Sequence, residues 1–342
     1  MELYKRVKNL ICNRNPLFQL DEISYIAYCD YAIQDRYIPE LNYKDSNKQI
    51  ECMNELKEND TVFVDFHLTH DKINTLLTIL HQKGIKLNFL YLEEPIPNKQ
   101  ILECLLGFAN NIYALNNIYM HPNLHSLFLG PSPHAIGNLL QEKMIERTKE
   151  FLCILAFSPG TEERKRCSDM LENKTFITQP VSHESPTSVP QWECHFCNQV
   201  THPVGEECSI YRESQQLLSE FHTNEFSKRK LPIFRISNRT VFEYTHKSYF
   251  TISPSGCGEE CHRFWEALYL DSIPIVKRTH TYFDKNFENL PCLIVNEWSD
   301  VTEELLEELK ESLQEKLRMF NKENPRFFTD LSVAIEYYRK NI

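Results

Sequence analysis

The residues best suited to chemistry lie in one segment, Tyr249–Lys277, where a strand, a tight loop, a helix and a second strand follow one another. Two of the 8 glycines in the chain, Gly256 and Gly258, fall in that loop just ahead of the helix. Such a loop lets backbone N–H groups and the positive end of the helix face an anion, most often a phosphate. The segment therefore predicts a phosphate-binding loop, although it matches neither the G-x-G-x-x-G fingerprint nor a P-loop.

The helix behind the loop carries a cation and a carboxylate three residues apart, Arg263 and Glu266. An arginine one turn into the helix can reach a pyrophosphate, and a carboxylate there can accept hydrogen bonds from both hydroxyls of a ribose. The same spacing also describes a surface ion pair, which would stabilise the helix by only about 0.2–0.5 kcal/mol. The residue types leave both interpretations open.

The segment resembles the donor-binding half of the exostosin-like glycosyltransferases. In that family a strand ending in Ser-Pro-x-Gly leads into an Arg-x-x-Glu-Ala-Leu helix and an Ile-Pro-Val/Ile strand; the matching runs here are Pro254–Gly256, Cys261–Leu268 and Ile273–Val276. Residues 157–164 are similar to the family's first donor-domain strand and its arginine-bearing helix. Two positions depart from the pattern: Asp271 replaces a frequent glycine, and Glu260 replaces a common aspartate.

The resemblance implies an α/β fold of GT-B type, in which two Rossmann-like domains face a central cleft. We expect an N-terminal acceptor-side domain over residues 1–135 and a C-terminal nucleotide-sugar-binding domain over 150–325, with a loop insertion at about 180–208. Residues 326–342 are expected to form a C-terminal helix that packs back on the first domain. The implied reaction is metal-independent, inverting transfer of a sugar from a nucleotide-sugar, a UDP-sugar, to a hydroxyl of a glycan or other acceptor.

The resemblance also implies which residues bind the donor. Glu266 would hold the ribose, Arg263 and His262 would lie near the diphosphate, and Arg164 would reach in from its own helix as a second cation. The full implied set is Ser158, Arg164, Ser255, Gly256, Gly258, His262, Arg263 and Glu266.

An inverting transfer needs a general base within hydrogen-bond reach of the acceptor hydroxyl, whereas a retaining transfer requires no such base. In a two-domain α/β enzyme we expect it at the carboxyl end of a strand in the N-terminal domain. Asp65 and His67, at the end of the predicted strand Thr61–Phe66, are the first candidates. Asp30, Glu93 and Glu94 are expected in the same position on neighbouring strands, and for every candidate a solvated or capping role is the alternative.

A cysteine–histidine cluster lies in a segment without periodicity: Cys194, Cys197, His202 and Cys208. Its spacing is one residue longer than that of a zinc knuckle, and thiolate and imidazole ligands suit tetrahedral zinc. A structural zinc site and a loop of reduced cysteines both fit the pattern; no cofactor is expected for catalysis in either case. The alternative function is a catalytically inactive α/β interaction protein that holds this zinc, while a sugar-nucleotide epimerase is disfavoured because no dinucleotide fingerprint follows the first strand.

Short apolar runs alternate with helical periodicity along the chain, which is typical of βαβ units and a parallel sheet. Strands are predicted at Thr61–Phe66, Ile85–Leu92, Leu124–Leu129, Phe151–Phe157, Tyr249–Ser253, Ile273–Val276 and Cys292–Val295. Helices are predicted at Asp71–Lys83, Lys99–Ala109, Thr161–Leu171, Glu259–Leu270 and Val301–Met319.

Composition limits the remaining classes. The chain has 342 residues and a formal net charge of −11, which argues against a nucleic-acid-wrapping surface. No stretch approaches 18 consecutive apolar residues, so no membrane span is expected. With no signal peptide recognised, the 12 cysteines are interpreted mainly as reduced thiols and the location as cytoplasmic.

Overall fold

A computed structural model describes residues 29–33, 53–65, 70–92, 99–127, 129–132, 136–157, 160–180, 238–256, 258–279 and 287–328, together with Val333 and Tyr337. These residues form two five-stranded sheets in which every strand pair is parallel. The predicted mixed α/β class with parallel sheets is therefore confirmed.

The strands of the first sheet lie side by side in chain order. They are β1 (Tyr31–Ile33), β2 (Thr61–Asp65), β3 (Leu87–Leu92), β4 (Ala109–Leu115) and β5 (Leu124–Leu127). Helix α1 (His70–Lys83) connects β2 to β3, and α2 (Lys99–Leu106) connects β3 to β4. Successive residues of β2 belong to different hydrophobic clusters, Val62 and Val64 to one and Phe63 to the other. Both faces of this sheet are thus covered, as expected for a parallel sheet.

The second sheet has the order β10-β9-β8-β6-β7. Its strands are β6 (Phe151–Ile154), β7 (Ile177–Thr178), β8 (Ser248–Ile252), β9 (Ile273–Lys277) and β10 (Leu293–Val295). Its helices are α4 (Glu162–Leu171), α5 (Asn238–His246), α6 (His262–Tyr269) and α7 (Glu303–Glu323), with α3 (Ile136–Lys143) leading into the sheet and a 3₁₀ turn at Trp298–Asp300.

The chain reverses direction across the second sheet between β6 and β8. From β6 it proceeds to β7 on one side, and it then returns to place β8 on the other. In doubly wound sheets, ligands bind outside the carboxyl ends of the strands at such a reversal. The topology therefore singles out the residues that follow β6 and β8.

Local sequence signals account for several helix boundaries. Thr161 caps α4, because its Oγ1 accepts a hydrogen bond from the Arg164 N–H at 3.3 Å, as its sequence position predicts. Glu163 does not take part in that cap; its carboxylate instead accepts hydrogen bonds from Trp298 Nε1 at 2.8 Å and from Lys277. Thr302 caps α7 in the same way as Thr161 caps α4.

Asp271, which departs from the exostosin-like pattern, lies in a tight turn. Asp271 links α6 to β9 with φ of 57°, in the left-handed region that favours glycine. Aspartate tolerates this region better than most residues. Here Lys143 Nζ contacts one carboxylate oxygen at 2.5 Å, and Asn321 Nδ2 donates to the other at 3.2 Å. The turn is therefore formed with aspartate at the position where the exostosin-like pattern often has glycine.

Aromatic side chains join the end of the described chain to α6. Phe327 stacks on Trp265 with ring centroids 6.1 Å apart, and Phe328 packs edge-on against Tyr269 at 5.5 Å. Phe320 of α7 packs against both phenylalanines. These contacts cover α6 from its outer side; packing of the rest of residues 326–342 on the first half stays a prediction.

The six described cysteines form no disulfide, and Cys29, Cys153, Cys167, Cys261 and Cys292 are buried. Burial raises the pKa of the Cys153, Cys167 and Cys261 thiols, so these groups stay protonated. In the part of the chain that the structure describes, no helix is both long and apolar enough to cross a membrane.

Lys149, two residues before β6, bonds to backbone carbonyls in the second half of the chain. Its Nζ donates to the backbone carbonyls of His246, Ser248 and Asp271 at 2.8, 2.9 and 2.7 Å. Burial lowers the pKa of Lys149 to about 8, against an attraction from Asp271, so the amine is still mostly protonated at pH 7. One side chain thus bridges the start of β8 and the turn before β9.

Replacing Lys149 by methionine is expected to destabilise the protein by about 2–4 kcal/mol, because three buried carbonyls lose a charged donor. Exposed Lys174 offers a matched control, and Lys174→Met should change stability by less than about 0.5 kcal/mol. Thermal unfolding of both variants checks this expectation. Equal melting temperatures for the two variants would show that the Lys149 bonds contribute no net stability.

Candidate functional site

The predicted phosphate loop lies at the carboxyl end of β8. After Ile252 the chain runs through Ser253 and Pro254 to Gly256, whose N–H donates to the Gly258 carbonyl at 3.1 Å. This bond closes a tight turn. Helix α6 begins at His262, three residues later than the predicted Glu259. The loop therefore stands between the end of β8 and the amino end of α6, beside the point where the strand order reverses.

Arg164 reaches this loop from the first turn of α4, the helix that follows β6. A Cβ added at Gly256 would lie 2.8 Å from Arg164 Nη2, so the guanidinium lies directly against the glycine. Arg164 Nε is buried and has no hydrogen-bond acceptor among the residues that the structure describes. The structure thus brings Arg164 and Gly256 together, as the resemblance implies.

Arg263 and Glu266 form a close pair in the first two turns of α6. Arg263 Nε lies 3.6 Å from Glu266 Oε2, and the side chains are only 21% and 5% exposed. The pair is therefore largely buried rather than a solvent-exposed ion pair. Arg263 Nε and Nη1 are both buried without an acceptor in hydrogen-bond geometry, and Glu266 Oε1 accepts the Ser132 N–H at 3.3 Å.

His262 contacts the connector, which we define as residues 129–132, between the first sheet and the second. We call the part of the chain that forms the first sheet the first half, and the part that forms the second sheet the second half. Its Nδ1 lies 2.8 Å from the Gly130 carbonyl oxygen. Because a carbonyl oxygen can only accept a hydrogen bond, we assign a hydrogen to Nδ1. Ser255 is half-buried in the loop.

Asn116 is a site residue that sequence reasoning missed. It follows β4 of the first sheet, is 2% exposed and has φ of 50°. Its Oδ1 accepts the Glu260 N–H at 3.1 Å, and its Nδ2 is buried without an acceptor. A Cβ added at Gly258 would overlap the Asn116 amide, with Oδ1 only 2.5 Å away. No spacing pattern marks Asn116, because its role depends on a contact between two sheets.

Glu260 holds the loop to the connector. Its Oε2 accepts the Leu129 N–H and the Trp265 Nε1–H, both at 2.8 Å. The carboxylate therefore joins the connector to α6, and this use explains how glutamate serves where the family often has aspartate.

Charged groups of the site act on the pKa of the Cys261 thiol. The Cys261 thiol lies at the amino end of α6, and burial raises its pKa. The guanidiniums of Arg164 and Arg263 oppose that shift, while the Glu266 carboxylate adds to it. All three charged groups are thus close to one sulfur atom, although they come from two different helices.

The candidate site contains buried hydrogen-bond donors that lack acceptors among the described residues. The four buried side-chain nitrogens without a partner among the described residues are Asn116 Nδ2, Arg164 Nε, Arg263 Nε and Arg263 Nη1. Leaving such groups unpaired costs about 1–3 kcal/mol each, and more for charged groups. An anion that accepts several hydrogen bonds would satisfy them, and a phosphate is the commonest such ligand at a helix amino end.

The predicted general bases are only partly described. Asp65 is the last residue of β2, at the carboxyl edge of the first sheet, but its side chain and the whole of His67 lie outside the described residues, as do Glu93 and Glu94. The prediction for Asp30 is wrong. Asp30 precedes β1 and so lies at the opposite edge of the sheet, where its Oδ2 accepts the Thr61 N–H at 2.9 Å.

Ser158 and the four predicted zinc ligands, Cys194, Cys197, His202 and Cys208, also lie outside the described residues. Among the residues that are described, no group of His, Cys, Asp and Glu side chains could hold a metal ion.

Comparison with known proteins gives only distant structural likeness. No protein-family model matches the chain, and no curated protein sequence matches it significantly. A UDP-forming α,α-trehalose-phosphate synthase from Burkholderia xenovorans is 11% identical over 90% of this chain and 79% of its own, with a TM-score of 0.39. MurG from Acinetobacter baumannii is 12% identical over 90% and 80%, also with a TM-score of 0.39. S. aureus MnaA, solved with UDP, is 12% identical over 79% and 72%, with a TM-score of 0.30. Likeness at this level assigns no function to the chain.

Proposed function

We propose that this protein is a glycosyltransferase of GT-B architecture that uses a nucleotide-sugar donor, with the donor held by the second sheet. The observation that carries the proposal is the set of buried N–H donors on Arg164 and Arg263 that lack a hydrogen-bond acceptor among the described residues, beside a glycine turn. The turn stands at the strand-order reversal of a doubly wound sheet, where such folds bind nucleotides. The resemblance of Tyr249–Lys277 to the exostosin-like family supports the same reading.

In the proposed reaction the sugar leaves a nucleoside diphosphate and joins an acceptor hydroxyl. Negative charge grows on the departing diphosphate, and donors already in place stabilise that charge without reorganisation. Arg164 and Arg263 would supply this stabilisation with the loop's backbone N–H groups, so the transfer needs no metal ion. His262, anchored through Nδ1, would lie beside the same phosphates.

Glu266 would accept hydrogen bonds from the ribose hydroxyls. An ionised carboxylate has about four lone-pair sites, and the Ser132 N–H takes one of them. Asp65 or His67 would take the proton from the acceptor hydroxyl while its oxygen attacks the anomeric carbon from the face opposite the diphosphate. This single displacement breaks the bond to the diphosphate and inverts the configuration. The acceptor, a glycan or another hydroxyl compound, would approach from the first half.

Ligand-induced thermal stabilisation tests the proposal directly. UDP, GDP, CDP and UDP-sugars are each added with and without EDTA; a ligand that binds only the folded protein raises the melting temperature. We expect a rise with UDP that EDTA does not change, followed by release of UDP from a UDP-sugar when an acceptor is present. A protein that none of these nucleotides stabilises is not a nucleotide-sugar transferase.

Glu266→Gln should selectively abolish recognition of the ribose. For the wild type, 2′-deoxy-UDP is expected to bind about tenfold more weakly than UDP, because a hydrogen bond to a charged acceptor is lost. For Glu266→Gln the two nucleotides should bind almost equally, as measured by titration calorimetry. Glu162→Gln, at an exposed carboxylate of α4, serves as control and should keep the wild-type ratio. The ribose assignment fails if Glu266→Gln also keeps that ratio.

A further inference from the structure

Asn116 belongs to the first sheet, yet its side chain is inserted into the phosphate loop of the second. It follows the carboxyl end of β4, and its amide lies against Gly258, where any Cβ would displace it. Gly256, at the other end of the same turn, lies against Arg164. Two glycines in one short turn thus make room for two polar side chains, one from each half of the protein.

Only one end of the Asn116 amide has an evident structural use. Oδ1 accepts the Glu260 N–H at 3.1 Å, but Nδ2 is buried and unpaired. An aspartate would serve the bond to Glu260 equally well and would also tolerate the positive φ. It would remove the unpaired N–H, but at the cost of burying a negative charge. The amide nitrogen is therefore the part of this side chain that the fold alone does not explain.

The unpaired Nδ2 has the same character as the unpaired nitrogens of Arg164 and Arg263. All of them are donors, and all lie around the Gly256–Gly258 turn and the start of α6. A single ligand with several acceptor oxygens can satisfy donors from three different elements at once, and a diphosphate has such oxygens.

We propose that Asn116 is a third side-chain ligand of the donor's diphosphate, supplied by the first half of the protein. This inference rests on the proposed nucleotide-sugar function and deepens it. The anion site is then complete only when β4 is docked on the loop before α6, so binding of the diphosphate favours the docked arrangement of the two halves.

The test compares Asn116→Asp with Asn110→Asp. Both variants change one amide of the same strand region by the same charge, but Asn110 lies at the amino end of β4, where its Nδ2 donates to Asn59. Dissociation constants for UDP and for uridine are measured by calorimetry and ligand-observed NMR. A ligand of the diphosphate should affect UDP and leave uridine unchanged.

We expect Asn116→Asp to weaken UDP binding at least tenfold, since a charged-acceptor hydrogen bond is replaced by repulsion. Uridine affinity should stay at the wild-type value, and Asn110→Asp should bind both ligands normally. Equal weakening of UDP and uridine would mean a structural role, and unchanged UDP binding would also overturn the inference. If the wild type itself binds no nucleoside diphosphate, the proposed function fails first, which keeps the two failures distinct.

Discussion

Replacing Arg164 by methionine is expected to weaken UDP binding about 100-fold without destabilising the free protein. The guanidinium lies against Gly256 with Nε buried and unpaired, so its hydrogen-bonding capacity is not used by the fold. Loss of one or two charged hydrogen bonds to a phosphate corresponds to about 3 kcal/mol, or roughly two factors of ten in affinity. Removing a half-buried cation that has no ion-pair partner among the described residues should leave the melting temperature close to that of the wild type.

Arg166→Met provides the matched control on the same helix. Arg166 is two residues away, is 64% exposed and has only a 3.9 Å ion pair with Glu163. The two substitutions change the net charge equally, so a general charge effect would weaken UDP binding in both. Isothermal titration with UDP and thermal unfolding without ligand separate the outcomes. A lower melting temperature for Arg164→Met with intact UDP binding would assign Arg164 to the fold and remove it from the site.

Substitution of Gly258 by alanine should damage both stability and binding. The new Cβ would overlap the Asn116 amide, which is short, buried and bonded to the Glu260 N–H, so it has little room to move. Overpacking of this kind costs about 1–3 kcal/mol. Because Asn116 and the loop must shift apart, UDP binding should fall at least tenfold along with the melting temperature.

Gly160→Ala shows what the same chemical change does where space is free. A Cβ at Gly160 meets no atom within 4 Å, and neither Gly160 nor Gly258 has a backbone in the left-handed region. The two variants therefore differ only in local packing. Gly160→Ala should unfold within about 0.5 kcal/mol of the wild type. If Gly258→Ala is equally harmless, the close contact with Asn116 is absent in solution.

The parallel sheets were predictable because buried strands carry continuous apolar runs between amphipathic helices. The run at Thr61–Phe66 became β2 over Thr61–Asp65, and Asp71–Lys83 became α1 within one residue. The elements that were not predicted include β1, β4, α5 and the two-residue β7. In β4 the polar Asn110 and Asn111 break the apolar run, and their side chains pair with Asn59 and Asn88 across the sheet, an arrangement that periodicity cannot show.

The part of the candidate site that belongs to the second sheet was predictable because its residues are close in sequence. A strand–loop–helix order places four of its residues close together within one short segment: Gly256, Gly258, Arg263 and Glu266. Arg164 required the resemblance to a family, since about ninety residues separate it from the loop. Asn116 could not be predicted in either way. It contacts Gly258 only because the two sheets pack together, and such a contact produces no periodic pattern in the sequence.

The contacts between the connector and α6 have a consequence for how the connector can vary. Glu260, His262 and Glu266 all bond to main-chain atoms of the connector, the N–H groups of Leu129 and Ser132 and the carbonyl of Gly130. Main-chain atoms are present whatever the side chain, and Gly130, with φ of 73°, is the position where backbone shape itself limits replacement. On the side of α6 these contacts depend on which side chains are present. On the side of the connector they depend only on the path of the backbone. Leu129 packs against the hydrophobic core, but the side chain of residue 132 can change without loss of the bond to α6. Loss of Glu260, His262 or Glu266, in contrast, cannot be compensated by a new side chain at residues 129–132.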